Sequence, residues 1–231
     1  MKLTIIAVTA ATMLSGCVVY ANGNGGWGDD DLNYEKRELS LATEGLNELE
    51  IEAGAGFLEV YGEPDRTTID VVAEIHYQDA DDIELTLTPD GDEADLIAKI
   101  ASNNWGDGSP RIDLVVYMPE AMALDVNDGS GSITIRNIKA NVDIEDGSGS
   151  LEIADIVGNV EIDDGSGSLD IRAIDGDLKV DDGSGSIDIN NVSGKVTIDD
   201  GSGSITVRDA GDLDIIDDGS GSVSTENVGN H

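Results

Sequence analysis

The chain has 231 residues, 49 acidic and 12 basic, and its net charge at pH 7 is −37. This charge argues against binding to nucleic acid, because phosphate backbones are recognised by basic side chains. A single cysteine excludes an intrachain disulfide, and a hydrophobic content of 39% is too high for a disordered chain.

The N-terminus predicts export and lipidation. Lys2 precedes an apolar run from Leu3 to Leu14, which is too short to span a bilayer and fits a secretory signal peptide over residues 1–16. The run ends in Leu-Ser-Gly-Cys, which resembles the bacterial lipobox. The resemblance implies cleavage before Cys17 and a lipid on that cysteine, so the membrane is an expected partner through the N-terminal lipid.

The residues after the cysteine predict location and reach. In Gram-negative lipoproteins an aspartate here favours the inner membrane, so Val18 implies the outer membrane if the host is Gram-negative. Residues 18–31 are rich in Gly, Asn and Asp without periodicity, so residues 17–36 are expected to form the lipidated cysteine and a flexible tether. We therefore expect an exported protein, anchored to the cell envelope, with an envelope or surface partner that the sequence does not name.

Residues 37–126 alternate apolar and polar side chains in several segments, as in Leu49-Glu50-Ile51-Glu52, and no helical pattern occurs. Turn residues separate the segments, for example at Gly62-Glu63-Pro64-Asp65. The pattern predicts an irregular β portion, made of wider coils or a small β-sandwich, that is continuous with the C-terminal half of the chain.

Residues 127–231 contain a regular repeat. The string Asp-Gly-Ser-Gly-Ser occurs six times at intervals of 18 residues, and each interval holds two short alternating segments. The repeat predicts an all-β fold, a parallel β-helix or solenoid with 18-residue coils, in which residue i lies about 4.8 Å from residue i+18.

Five aliphatic columns should then line the interior. The first is Ile133, Leu151, Leu169, Ile187, Ile205 and Val223, and the second is Ile135, Ile153, Ile171, Ile189 and Val207. The return strand supplies Val142, Val160, Leu178 and Val196, then Ile144, Ile162, Val180 and Ile198, while a corner supplies Ile138, Ile156, Ile174 and Val192.

The last two repeats depart from the pattern. Gly211 comes one position early and the apolar parity shifts before Ile216, which predicts a bulge or kink. The final segment, residues 222–231, is polar and short, as expected for a cap on the open strand edge.

Two acidic columns are the candidate site, and both are expected on the outside. One is Asp128, Asp146, Asp164, Asp182, Asp200 and Asp218, and beside it run Asn127, Glu145, Asp163, Asp181, Asp199 and Asp217. In one interpretation each aspartate of the first column caps its own turn by accepting backbone N–H bonds. In the other the columns form a cation-binding ladder, with Ca²⁺ as the expected ion because it prefers carboxylate oxygens. Leu169 stands where the calcium-binding nonapeptide repeat requires aspartate, so such a site would differ from that motif.

No catalytic motif is present. The zinc motif HExxH and the P-loop are absent, and the repeated serines lack GxSxG spacing. His76 lies in a strand pattern, where a half-exposed structural position is expected. We expect no enzyme activity, no catalytic residue and no cofactor other than Ca²⁺.

The chain resembles the bacterial putative-adhesin family. The features that carry the resemblance are Gly56-Phe57-Leu58-Glu59-Val60-Tyr61-Gly62, the strand at 111–119 and the Gly-Ser-Gly-Ser coils. The resemblance covers roughly residues 38–229, implies a β-solenoid at the cell envelope and supplies no catalytic residues. The expected function is a non-enzymatic adhesin-like or structural lipoprotein, with an envelope-stress or decoy module that binds cationic ligands or divalent cations as the alternative.

Overall fold

The computed structural model describes residues 18–20, for which only the backbone is considered, 32–101 and 110–229. The predicted signal peptide, Cys17 and most of the predicted tether lie outside these residues. The described chain is almost entirely β-strand, with one short 3-10 helix at Ala80–Asp82. Within these ranges, no helix has the length and apolar character needed to cross a bilayer.

In the described part of the chain, sixteen strands form one continuous sheet that winds around one core. The first eight are β1 Val18–Tyr20, β2 Asn33–Ala42, β3 Glu48–Glu63, β4 Thr68–Tyr77, β5 Ile83–Asp90, β6 Glu93–Ile100, β7 Arg111–Pro119 and β8 Ala123–Arg136. The others are β9 Val142–Asp146, β10 Gly149–Val157, β11 Val160–Asp164, β12 Gly167–Asp175, β13 Leu178–Asp182, β14 Gly185–Asp200, β15 Gly203–Asp217 and β16 Ser222–Val228.

The predicted solenoid is confirmed. Strands β8, β10, β12 and β14 pair in parallel with partners 18 residues apart, and β9, β11, β13 and the end of β14 do the same on the other side. Each coil thus contributes one strand to a first face and one to a second face. The aliphatic side chains of both faces meet between them, because a single coil cannot bury its own apolar side.

The five aliphatic columns are inside as predicted, with one exception. Their members from Ile133 to Val207 are at most 2% exposed. Val223 was predicted to continue the first column, but 40% of it is exposed. It lies on β16, which pairs only with β15, so no further coil covers it among the described residues.

The irregular N-terminal portion extends the solenoid beyond its first regular coil. Strand β3 pairs in parallel with β8 over both faces, and β6 and β7 pair in parallel with β3 to form a wider coil above it. Strands β5, β4 and β2 then add antiparallel partners. These connections fit the predicted wider coils.

The structure differs from the predicted tether boundary. Strand β2 begins at Asn33, inside the range 17–36, and Val18–Tyr20 of β1 pairs antiparallel with its residues 36–38. Pairing with β4 extends to the start of β2, where Glu35 is buried and forms an ion pair with Arg37. This packing makes the end of the predicted tether part of a strand. The composition of the segment gives no indication of it.

The predicted irregularity in the fifth repeat is confirmed. Residues 195–198 pair with partners 17 positions later, whereas Asp199 pairs with Asp217, 18 positions later. The missing residue near Gly211 is compensated by one extra residue, Ile216, which is 64% exposed. A bulge therefore restores the register before the last turn.

Candidate functional site

The first acidic column lies inside the solenoid, not outside as predicted. Asp128, Asp146, Asp164, Asp182 and Asp200 are stacked in register and are between 1% and 5% exposed. Asp218, at the open end, is exposed. The inward position follows from strand parity, since an aspartate such as Asp164 lies two residues after the buried Ile162.

Each buried aspartate from the second coil onward caps its own turn through one oxygen. The backbone N–H of Ser148 donates to Asp146 Oδ1 at 3.1 Å, and Ser166 donates to Asp164 at the same distance. Ser184 and Ser202 repeat this contact in the next two coils. In the last coil the exposed Asp217 accepts from Gly219 at 2.9 Å instead. The turn-cap interpretation is therefore consistent with the geometry of the column.

The second oxygen has no partner in four of the five buried aspartates. The Oδ2 atoms of Asp128, Asp146, Asp164 and Asp182 are buried and accept no hydrogen bond from the described residues. Burial raises the pKa of Asp128 to about 7, and the charge of Asp146 adds to the increase. Burial also raises the pKa of Asp164 to about 6, although the hydrogen bond from Ser166 acts in the opposite direction.

The second acidic column points outward. Asn127, Glu145, Asp163 and Asp181 are exposed and Asp199 is half-exposed, all on the outer side of the second face. Neighbouring residues of a strand point to opposite sides. Asp163 and Asp164 therefore lie on different sides of the strand, and the two columns do not converge on one ion.

The outward column is part of a larger acidic surface. We define the acidic face as the outward side of β6, β9, β11 and β13 with the first halves of β3 and β8 and the second half of β14. One of its rows is Asp95, Glu50, Asp125, Asp143 and Glu161, and the other is Glu52, Asn127, Glu145, Asp163, Asp181 and Asp199. In a parallel sheet the members of a row are separated by about 4.8 Å.

The first face differs because its acids are neutralised. Arg136 and Arg172 both bind Glu152, at 2.6 and 2.5 Å, and Arg208 binds Asp188 at 3.0 Å. The two guanidinium groups hold the pKa of Glu152 below its ordinary value. These ion pairs compensate charge locally on the first face.

The basic residues leave most of the acidic face without a counter-charge. Lys2 lies outside the described residues, and each of the other 11 lysines and arginines already pairs with a carboxylate. On the rows of the acidic face, Lys179 pairs with Glu161 and Lys99 with Glu52. The remaining carboxylates of the face have no basic partner among the described side chains.

The upper edge of the acidic face gathers three carboxylates. One oxygen each from Glu50, Glu93 and Asp95 lies within 4.8 Å of the others, so the group could hold a cation. Burial and the charges of Asp125 and Asp95 raise the pKa of Glu50. No sequence pattern indicates this group, because its members come from β3 and β6, whose paired residues are 45 positions apart and outside the repeat.

A second missed feature is a side-chain ladder at one corner of the coils. Asn141 accepts from the backbone N–H of Asn159, which accepts from Asp177, and Asp177 accepts from Lys195, at 2.8 to 3.0 Å. The 18-residue spacing of these residues was the available signal. The ladder fixes the corner beside a groove of about 540 Å³ next to the acidic face.

Comparison with known proteins gives structural neighbours only. No family model and no curated protein sequence matches the chain. A putative adhesin from Bacteroides fragilis is 13% identical, with coverage of 82% of this chain and 96% of that one and a TM-score of 0.45. A putative cell adhesion protein from Clostridium sporogenes is 12% identical, with coverage of 84% and 99% and a TM-score of 0.43.

A third solved structure is a putative lipid binding protein from Parabacteroides distasonis. It is 14% identical, with coverage of 87% of this chain and 96% of that one and a TM-score of 0.38. The descriptions of the first two structures agree with the resemblance expected from the sequence. All three TM-scores are below 0.5.

Proposed function

We propose that this chain is a non-enzymatic cell-envelope lipoprotein, anchored through Cys17, that uses its solenoid as a rigid adhesin-like or structural element. The acidic face is the surface offered to a partner. The observation that carries the proposal is the unbroken outward row of Glu145, Asp163, Asp181 and Asp199, which has no basic partner among the described side chains.

Rigidity supports this role. The row rests on strands whose inward side chains are fully buried, such as Ile162 and Val180. Side chains held on a paired strand keep a fixed spacing, which favours a partner with regularly placed positive charges. The partner class is therefore a cationic surface of the envelope or of a neighbouring cell.

The test uses cells that lack the protein and carry one of two triple variants. The row variant is Asp163→Asn, Asp181→Asn and Asp199→Asn, and the control is Glu44→Gln, Asp79→Asn and Glu226→Gln. The control removes the same charge at exposed positions away from the row. We expect the row variant to lose attachment or envelope integrity and the control to behave as wild type.

Equal behaviour of the two variants would contradict a specific role of the row. A deletion strain with normal attachment and normal envelope integrity would contradict the function itself. The anchor is tested separately, because Cys17→Ser should move the protein from the membrane fraction to the soluble fraction.

The second candidate function is capture of cationic ligands, as in an envelope-stress or decoy module. It is favoured by the close approach of Glu50, Glu93 and Asp95, which repel one another in the absence of a cation. We expect calorimetry at moderate salt to detect binding of a deca-lysine peptide that Glu50→Gln with Asp95→Asn weakens. Binding that the double variant leaves unchanged would end this candidate.

A further inference from the structure

The buried aspartate column would strongly destabilise the fold if all its members were charged. Five carboxyl groups stack in an aliphatic interior, and neighbouring members are separated by about 4.8 Å. An ionised carboxylate in such a place is strongly disfavoured unless it is paired or fully hydrogen-bonded. In Asp146, Asp164 and Asp182 only Oδ1 accepts a hydrogen bond, and Oδ2 has no partner in four of the five groups.

The charges that act on the column have the same sign as its own. They belong to its own members, to the outward Asp163, Asp181 and Asp199, and to Asp217 and Asp218 near the open end. On the N-terminal side Asp128 pairs with the uncharged Ala53 of β3. Every described lysine and arginine is paired elsewhere, so the column has no basic partner among them.

A metal ion does not fit this environment. Ca²⁺ requires six to eight oxygen ligands. Each aspartate offers one free oxygen, and the side chain before it on the same side of the strand is aliphatic, as Ile162 is for Asp164. Because the outward acids lie on the other side of the strand, they do not complete a coordination shell.

We propose that the column is a proton-binding site: its buried Oδ2 atoms hold protons at pH values where exposed aspartates are ionised, and the solenoid loses folding stability as these protons leave. A carboxylic acid carries no net charge, so protonation removes both the cost of burying a charge and the repulsion along the column. Oδ1 continues to accept from the serine N–H in either state.

The sign of the pH dependence follows from proton linkage. The pKa values of Asp128 and Asp164 are raised from 3.8 to about 7 and about 6 in the folded protein. Between pH 4 and pH 7 the folded state therefore binds more protons than the unfolded state, and the free energy of unfolding falls as pH rises. The contribution levels off above about pH 8, one unit above the raised pKa of Asp128, where both states have released the proton.

The test compares urea unfolding of the full chain, wild type against Asp164→Asn, from pH 4 to pH 8. The amide keeps an acceptor for Ser166 but cannot ionise. We expect the folding equilibrium constant of Asp164→Asn, relative to wild type, to increase by about tenfold or more across this range, since one pKa unit is a factor of ten. The matched control is Asp163→Asn, the exposed neighbour with the same charge change, whose ratio to wild type should stay within about threefold.

Equal pH dependence of the two variants would overturn the proposal. So would cancellation by millimolar Ca²⁺, against NaCl of matched ionic strength, of the difference between wild type and Asp164→Asn at pH 8, because the column would then hold a metal. If Asp164→Asn does not fold, ¹³C NMR titration of the wild-type aspartate carboxyl carbons decides. Carboxyl groups that titrate near pH 6 to 7 support the proposal, and titration of every aspartate below pH 5 contradicts it.

Discussion

At the residue scale, the turns of the solenoid depend on the absence of side-chain atoms. The second glycine of each Asp-Gly-Ser-Gly-Ser string lies against the backbone of the coil before it. A Cβ atom on Gly167 would overlap with the carbonyl oxygen of Gly149, and the same relation holds one coil later for Gly185 and Gly167. Stacking at the strand spacing leaves no room for that carbon.

The substitution Gly167→Ala should therefore destabilise the protein by about 2–4 kcal/mol, because neighbouring backbones must move apart. Gly91→Ala is the matched control, since Gly91 also has a positive φ of 66° but has open space around its Cβ position. The control should cost only about 1 kcal/mol, for backbone strain alone. Urea unfolding measures both, and equal losses would show that close stacking is not the cause.

A second residue-scale prediction concerns one corner of the coils. Asn137, Asp155, Asn191, Asp209 and Asn227 adopt left-handed conformations at 18-residue spacing, and Ala173 does so with φ of 56°. Asparagine tolerates this conformation better than alanine. We expect Ala173→Asn to stabilise the protein by about 0.5–1 kcal/mol and Ala173→Val to destabilise it. Thermal unfolding would contradict the assignment if valine were tolerated as well as asparagine.

At the scale of the element, the structural unit of the C-terminal half of the chain is one complete coil. Because each coil contacts only its neighbours, one coil should be removable without change of register. Deletion of residues 165–182 joins Asp164 to Gly183 and preserves every column. We expect this variant to fold, with a cooperative thermal transition at a lower temperature.

The control deletion removes residues 165–172, which breaks the period. It joins Asp164 to Ala173 and moves Leu178 and Val180 to the former positions of the outward Asp170 and Arg172, so apolar side chains would point outward. Circular dichroism and a melting curve should show that this variant is not cooperatively folded. Equal behaviour of the two deletions would contradict the stacked coil as the structural unit.

The sequence predicts the elements well where the period is strict. Columns such as Ile135, Ile153 and Ile171 follow from spacing alone, and the bulge at Ile216 follows from one displaced glycine. The inward position of Asp164 was also available from parity with Ile162, but an aspartate is expected at the surface because of its charge. The pairing of β3 with β8 joins residues 75 apart and has no periodic signal. The Glu50, Glu93 and Asp95 group was missed for the same reason.

At the scale of the whole molecule, charge is segregated. Arginines neutralise the first face, whereas the second face presents rows of carboxylates with few basic partners among the described residues. Inside, the aspartate column holds carboxyl groups whose charged form is disfavoured by burial, which raises the pKa of Asp128. Both the proposed partner surface and the proposed proton site depend on equivalent residues of successive coils lying side by side.

Cysteine cross-linking tests that stacking most directly. In a Cys17→Ser background, Ser168→Cys with Ser186→Cys places thiols on register partners of adjacent strands, which are about 4.8 Å apart. Ser168→Cys with Asp177→Cys places them nine residues apart along one coil, one near the start of β12 and the other at the corner beyond its end. A disulfide requires Cα atoms within about 7 Å. The stacked solenoid predicts rapid oxidation of the first pair and none of the second, and failure of the first pair together with oxidation of the second would contradict it.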